Sequence, residues 1–255
     1  MKKNLFLSGL LGAAILPASL FGWSWDAYYG HETEHVAVGC KWGQGKEELA
    51  LTVLRELGNG SLFLGVDGRI MDDSAAVNRV APRLDYNWNV SEKCYLNAGY
   101  QSLFYFRVPE GVKKHGNEIH STFHWGDSVS AEGSVSYNFD EEDFGLSISL
   151  LQDYDLAAIG LNFLRVRSLF SAGYDHCARP GGVKHFFKDI CPGNSCGFFY
   201  YGWGGDLILR MRSLPGSLSL GVRYAGNSAS KENWNNADGH HRNLLWAAVG
   251  AAFQF

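Results

Sequence analysis

The sequence predicts an all-β fold: a transmembrane, antiparallel, up-and-down β-barrel of about twelve strands behind an N-terminal signal peptide. Three observations lead there. Apolar residues recur with a period of two along nearly the whole chain, the repeat of a β-strand. The connections between those segments divide into a short set and a longer set on opposite sides. The last twelve residues, LLWAAVGAAFQF, carry the alternation to a terminal aromatic, where soluble chains usually end in polar, frayed residues.

The chain opens MKKNLFLSGLLGAAILPASLFGWS. Lys2 and Lys3 form a positive n-region, and Leu5 to Leu16 an apolar core. That core is far short of the ~20 residues a membrane helix needs. Pro17 ends it, and the small residues Ala18, Ser19, Gly22 and Ser24 follow. Residues 1–24 therefore read as a secretory signal peptide, with 25–255 as one domain. Cleavage removes Lys2 and Lys3 and takes the formal net charge from −4 to −6. A mildly acidic chain argues against nucleic acid as a partner. Gly at 31 residues, aromatics at 14% and Pro at 6 suit strands and turns rather than helices.

The strand segments follow in order. Val36, Val38, Cys40 and Trp42 share one face, as do Leu49, Leu51 and Val53, then Leu62, Leu64, Val66 and Ile70. Val80, Pro82, Leu84, Tyr86 and Trp88 come next, then Leu96, Ala98 and Tyr100. Val129 to Phe139 is the cleanest run, with Ser128, Ser130, Glu132, Ser134, Ser136 and Asn138 opposite. Then come Phe144 to Leu150, Ile159 to Phe163, Phe170 to Tyr174, Trp203 to Met211, Leu218 to Tyr224, and the terminal strand. The short links are 58–61, 91–93, 140–143, a tight link near Leu164–Val166, and 213–216. The long ones are 107–118, 175–196 and 227–241. Short turns on one rim and longer loops on the other are a feature of outer-membrane barrels.

Period alone does not say which face is buried. The signal peptide, the loop asymmetry and strands of membrane-spanning length decide it together: apolar parity to lipid, polar parity to a lumen. Asp67, Arg69, Arg83, Asp85, His120, His124, Glu132, Asp206, Arg210 and Arg223 then line the lumen. Aromatic girdles are expected at Trp88, Tyr137, Phe139, Phe144 and Phe163 on the short-turn rim. Trp42, Tyr174, Trp203 and Tyr224 would form the other girdle.

The tail resembles the C-terminal assembly signal of bacterial outer-membrane β-barrels, which end on an aromatic preceded by alternating apolar residues. Val249, Phe253 and Phe255 carry the match. The chain looks most like the small putative porins, the TorF type among them. The resemblance implies the barrel-assembly machinery, outer-membrane lipid and lipopolysaccharide as partners, a bacterial outer-membrane location, and a monomer without cofactor.

Barrel phospholipases and lipid A deacylases resemble one another in a closely spaced His and Ser, often H-x-S-N. The nearest stretch here is EIHSTFHWGDS, and it lacks that motif. His120 and His124 lie ~13 Å apart on a strand at ~3.3 Å per residue, too far to share a metal or act as a relay. No residue is expected to be catalytic. Cys177, Cys191 and Cys196 cluster in the loop 175–196, where Cys177 with Cys196 would clamp the base and Cys191 with Cys196 would close a small turn. That loop is also basic, through Arg179, Lys184 and Lys188, and carries Phe186 and Phe187. Its readings are an ordered surface loop, a lid, or a patch for acidic sugars or a host ligand.

Closing the SLPG turn over 213–216 predicts Arg210 opposite Ser219 and Asp206 opposite Arg223. Arg210 and Arg212 would then lack carboxylates in that hairpin, giving a weak anion preference. Two functions follow: a porin-like channel for passive diffusion of small hydrophilic solutes, or a non-conducting barrel that binds or adheres through its extracellular loops.

Overall fold

Twelve antiparallel strands close on themselves in sequence order, β1 pairing with β12. In this computed structural model they run Ser24–Ala37 (β1), Cys40–Glu56 (β2), Gly60–Met71 (β3), Asn78–Ser91 (β4), Cys94–Phe106 (β5) and His115–Gly126 (β6). Val129–Asn138 (β7), Asp143–Asp155 (β8), Leu164–Cys177 (β9), Cys196–Arg210 (β10), Gly216–Asn227 (β11) and Asn243–Gln254 (β12) complete the barrel. The structure describes residues 22–37, 40–71, 78–108, 110, 113–177, 196–211, 214–227 and 243–254. Residues 1–21 of the expected signal peptide, most of the basic loop (178–195) and Phe255 lie outside the described residues.

Burial is inverted relative to a water-soluble fold. Leu84, Leu146, Ile148, Leu150, Leu220 and Val249 are among the many large apolar side chains left exposed. Lys46, Thr52, Ser61, Asp67, Asp85 and Ser130 are buried. An exposed apolar surface this continuous has to be covered, and a lipid bilayer covers it without a partner protein. Closure also removes every sheet edge, so the backbone groups of the strands are satisfied within the barrel.

Ten of the segments expected from the alternation each correspond to a strand of their own, to within one residue at its end, and two do not. The run from Val36 to Trp42 straddles the end of β1 and the start of β2. The stretch KWGQGKE between the first two expected segments is itself part of β2, where Gly45 takes a positive φ of 62°. Ile159 to Phe163 is no strand. It belongs to a 3-10 turn over Leu156–Ile159, capped by Asp155, whose carboxylate accepts from the Ala157 N–H, and closed by left-handed Gly160. The place it vacates is filled by β6, which lies within and beyond the expected 107–118 link.

Turn 139–142 therefore falls on the rim of the long segments, with the 178–195 and 228–242 connections. Tyr137, Phe139 and Phe144 belong to that rim rather than to the short-turn rim. Leu164–Val166 lies inside β9. The opposite rim carries 57–59, 92–93, 127–128, 156–163 and 211–215. There Lys93 Nζ meets Asp127 Oδ2 at 2.6 Å and ties two turns together. The hydrogen bond to Asp127 holds the Lys93 ammonium above the ordinary lysine range.

Candidate functional site: the barrel lumen

Alternation puts one side chain in two on the inner wall, so its chemistry is set by one parity of each strand. The ion-paired lysines and arginines of that wall form two groups, one on β2 to β4 and one on β9 to β11.

On β1 to β4 and β6, Lys46 bridges Glu32 at 3.0 Å and Glu48 at 3.2 Å. Glu48 also receives Arg69 at 3.2 Å. Arg79 binds Asp67 at 2.7 Å, and Trp246 Nε1 donates to Glu32 at 3.0 Å. Arg83 reaches Thr52 Oγ1 at 3.1 Å and sits 3.6 Å from Asp85. Asp85 Oδ1 is 2.6 Å from His120 Nε2.

The second group lies on β8 to β11. Arg167 holds Asp153 through two nitrogens at 3.0 and 3.2 Å. Arg165 approaches the same carboxylate at 3.8 Å, Arg210 meets Asp155 at 3.2 Å, and Arg223 meets Asp206 at 2.7 Å. Between the groups stand hydroxyls on β7 and β8, with Ser134 and Ser147 2.5 Å apart. On the other side Ser219, Gly221, Ala248, Gly250, Ala252 and Gly30 on β11, β12 and β1 leave space on the wall, part of which the Tyr28 ring takes up beside Gly30 and Gly250. His124, stacked on Tyr95, pairs with Glu132 at 3.0 Å.

Glycines decide which of these residues meet. Asp85, Gly99 and His120 are direct register partners on β4, β5 and β6. A Cβ at Gly99 would overlap Asp85 Oδ1 and lie 2.6 Å from His120 Nε2. The missing side chain lets two residues two strands apart touch over the backbone between them. Gly65 does the same for Arg83 and Thr52, since a Cβ there would stand 2.8 Å from Arg83 Nε and 3.1 Å from Thr52 Oγ1. Gly221 provides the space in which Asp206 reaches Arg223. These bridging glycines were not among the residues singled out from the sequence; a single strand's pattern carries no sign of them, because each matters through two neighbours.

The SLPG hairpin needs a correction. Arg210 lies opposite Ser217, Asp206 opposite Gly221, and Ser219 opposite Ile208. Met211 N donates to Gly216 O at 2.9 Å, so the hairpin closes on Met211 and Gly216. The slip relative to the expected register is two residues, which leaves every side chain on its face. Asp206 and Arg223 still meet, as diagonal neighbours. Arg210 does have a carboxylate, Asp155, but it comes from β8, outside the hairpin.

His120 and His124 both face the lumen, each on a carboxylate. Ser121 lies on the other face and donates to Asn97 O at 2.8 Å. No Ser–His pair forms in this stretch. Cys177 and Cys196 stand directly across from one another at the ends of β9 and β10. Cys94 is a free thiol. Val249 is outward-facing, paired with Leu220 and His31, and Phe253 pairs with Ala27 and Gly216. At the end carrying the chain termini, a cavity of about 710 Å³ opens among Asp26, Tyr28, Thr52, Phe63, Arg83 and Gln254.

A closed twelve-strand barrel, apolar outside and ion-paired inside, defines an outer-membrane β-barrel protein. Comparison with solved structures finds the same fold. An outer membrane channel from Pseudomonas putida F1 superposes with a TM-score of 0.55 at 10% identity, covering 91% of this chain and 95% of that one. The KdgM porin gives 0.51 at 11% identity, over 91% and 99%. LpxR from Salmonella typhimurium gives 0.52 at 8% identity, over 90% and 99%. No protein-family model and no curated protein sequence matches the chain. Two of the three structures are named as a channel or a porin and the third is not, so the shared fold alone does not select the function.

Proposed function

We propose that the chain is a porin-like channel for passive diffusion of small hydrophilic solutes, and that it catalyses no reaction. The observation that carries this reading is the inner wall: it gathers ion pairs, amides and hydroxyls from every part of the barrel, its described lysines and arginines lie against the wall in ion pairs, and its large apolar members, among them Phe63, Leu103, Leu151, Leu169 and Leu244, are interspersed among them. Eight-stranded barrels are filled by their own side chains and sixteen-stranded porins hold an aqueous channel. Twelve strands with glycine, alanine and serine along β11, β12 and β1 lean toward the second case. The names of the channel and porin among the structural neighbours agree with it. Against catalysis, Ser136 lies opposite His120 on the lumen face but no hydrogen bond joins them, because Nε2 of His120 is on Asp85 and its buried Nδ1 has no hydrogen-bond partner among the described residues.

Swelling of vesicles loaded with the refolded protein tests this. Entry of small sugars, with a sharp size limit, is the expected outcome. Vesicles that exclude every solute, in protein whose gel mobility shows it folded, would refute the channel. The result would favour the non-conducting barrel that binds through its loops.

A further inference from the structure

The ion pairs of the lumen close on themselves, and what they leave over has a sign. The described inward-facing lysines and arginines are Lys46, Arg69, Arg79, Arg83, Arg165, Arg167, Arg210 and Arg223. Each of them lies within 4.0 Å of a carboxylate. The carboxylates in these pairs, with Glu132 on His124, match them in number: Glu32, Glu48, Asp67, Asp85, Glu132, Asp153, Asp155 and Asp206. Asp143 and Asp175 also face inward and are buried near the rim of the long segments, and three further inward carboxylates are held by neutral groups. Glu118 accepts from Gln101 Nε2 at 2.5 Å, Glu56 from Ser61 Oγ at 3.0 Å, and Asp26 from Gln254. Asp26 and Glu56 stand at the end that carries the termini, and Glu118 near the start of β6 at the opposite end.

We propose that the lumen passes cations in preference to anions, and that Asp26, Glu56 and Glu118 set this preference from its two mouths. The proposal rests on the channel reading and replaces the anion preference expected from Arg210 and Arg212. Arg210 is neutralised by Asp155, while Asp26, Glu56 and Glu118 form no ion pair with a cation among the described residues. A charge in the wall of a narrow aqueous passage raises the local concentration of its counterions. The Debye length at 0.1 M salt, ~10 Å, is comparable with the dimensions of such a passage, so the field is not screened out within it. A mean potential of about half a kT, modest against the several kT of charged clefts, makes the cation-to-anion ratio about threefold.

The reversal potential of the protein in a planar bilayer under a KCl gradient measures this ratio. Wild type should favour K⁺ over Cl⁻ about threefold, and Asp26→Asn combined with Glu118→Gln should bring the ratio close to one. Arg210→Ala strands Asp155 and should raise the ratio. Each variant is first checked for the gel shift of a folded barrel, and the opposite signs of the two effects separate a change of field from loss of structure. Current that favours Cl⁻, or a ratio that the double variant leaves unchanged, would overturn the proposal and leave the channel standing. No current from folded protein would overturn the channel and the selectivity with it.

Discussion

Gly99 is a position where one methyl group should break a single, identifiable lumen contact. In Gly99→Ala the new Cβ occupies the space through which Asp85 and His120 meet. Both obstructing atoms are side-chain ends, so β5 can keep its path while the pair opens. Asp85 is 6% exposed and keeps Arg83 at 3.6 Å, but loses its 2.6 Å contact with the imidazole. A hydrogen bond to a charged group contributes about 1.5–3 kcal/mol, so a loss of about 1–3 kcal/mol is expected. Reversible urea unfolding in lipid vesicles, followed by tryptophan fluorescence, reads it. Gly133→Ala is the control, because a Cβ there meets nothing within 4 Å. In a His120→Ala background the Gly99→Ala cost should fall below about 0.5 kcal/mol, the limit of additivity for independent sites. Equal losses in both backgrounds, or a Gly99→Ala protein as stable as the Gly133→Ala control, would refute the bridging role of this glycine.

Three other outcomes are expected. Leu220 and Val249 are direct partners on the outer face, 59% and 45% exposed, and Leu220→Arg or Val249→Arg should each cost ~2–4 kcal/mol near the bilayer midplane; a neutral result in vesicle unfolding would mean that this face does not meet lipid. Deleting Phe255 should leave exported but unassembled protein in the periplasm, so normal surface exposure of the deletion variant would discount the tail as an assembly signal. Cys177 and Cys196 should be linked, since directly opposed strand residues have Cα atoms ~4.5–5.5 Å apart, inside the range a disulfide spans; peptide mapping without reduction that finds Cys191 joined to Cys196 would contradict this.

The faces of the strands are legible in the sequence because a period of two survives any even error. The same tolerance hides the register. At 213–216 a slip of two residues moves Arg210 from Ser219 to Ser217 without changing a single inward residue, so composition gives no warning of it. β6 was hidden for a different reason. Its outer parity holds His115, Asn117 and Ser121 beside Ile119, Phe123 and Trp125, so the apolar repeat is broken along half its length. Ile159 to Phe163 shows the converse: three apolar residues at alternate positions imitate a strand where Asp155 and Gly160 in fact cap a turn. The lumen site divides in the same way. Which residues face inward follows from parity, whereas Asp155 with Arg210, or Asp85 with His120 across Gly99, requires the pairing of three or more strands.

The claim on which everything else depends is that the Ser219 face lines a conducting lumen and the Leu220 face does not. Ser219→Cys and Leu220→Cys differ by one residue on β11, and a bulky, charged, thiol-reactive reagent added during single-channel recording distinguishes them. Treatment of the unsubstituted protein corrects for its native cysteines. The account predicts a stepwise fall in conductance for Ser219→Cys and no change for Leu220→Cys. A fall for Leu220→Cys with none for Ser219→Cys, or no current from either folded protein, would contradict it.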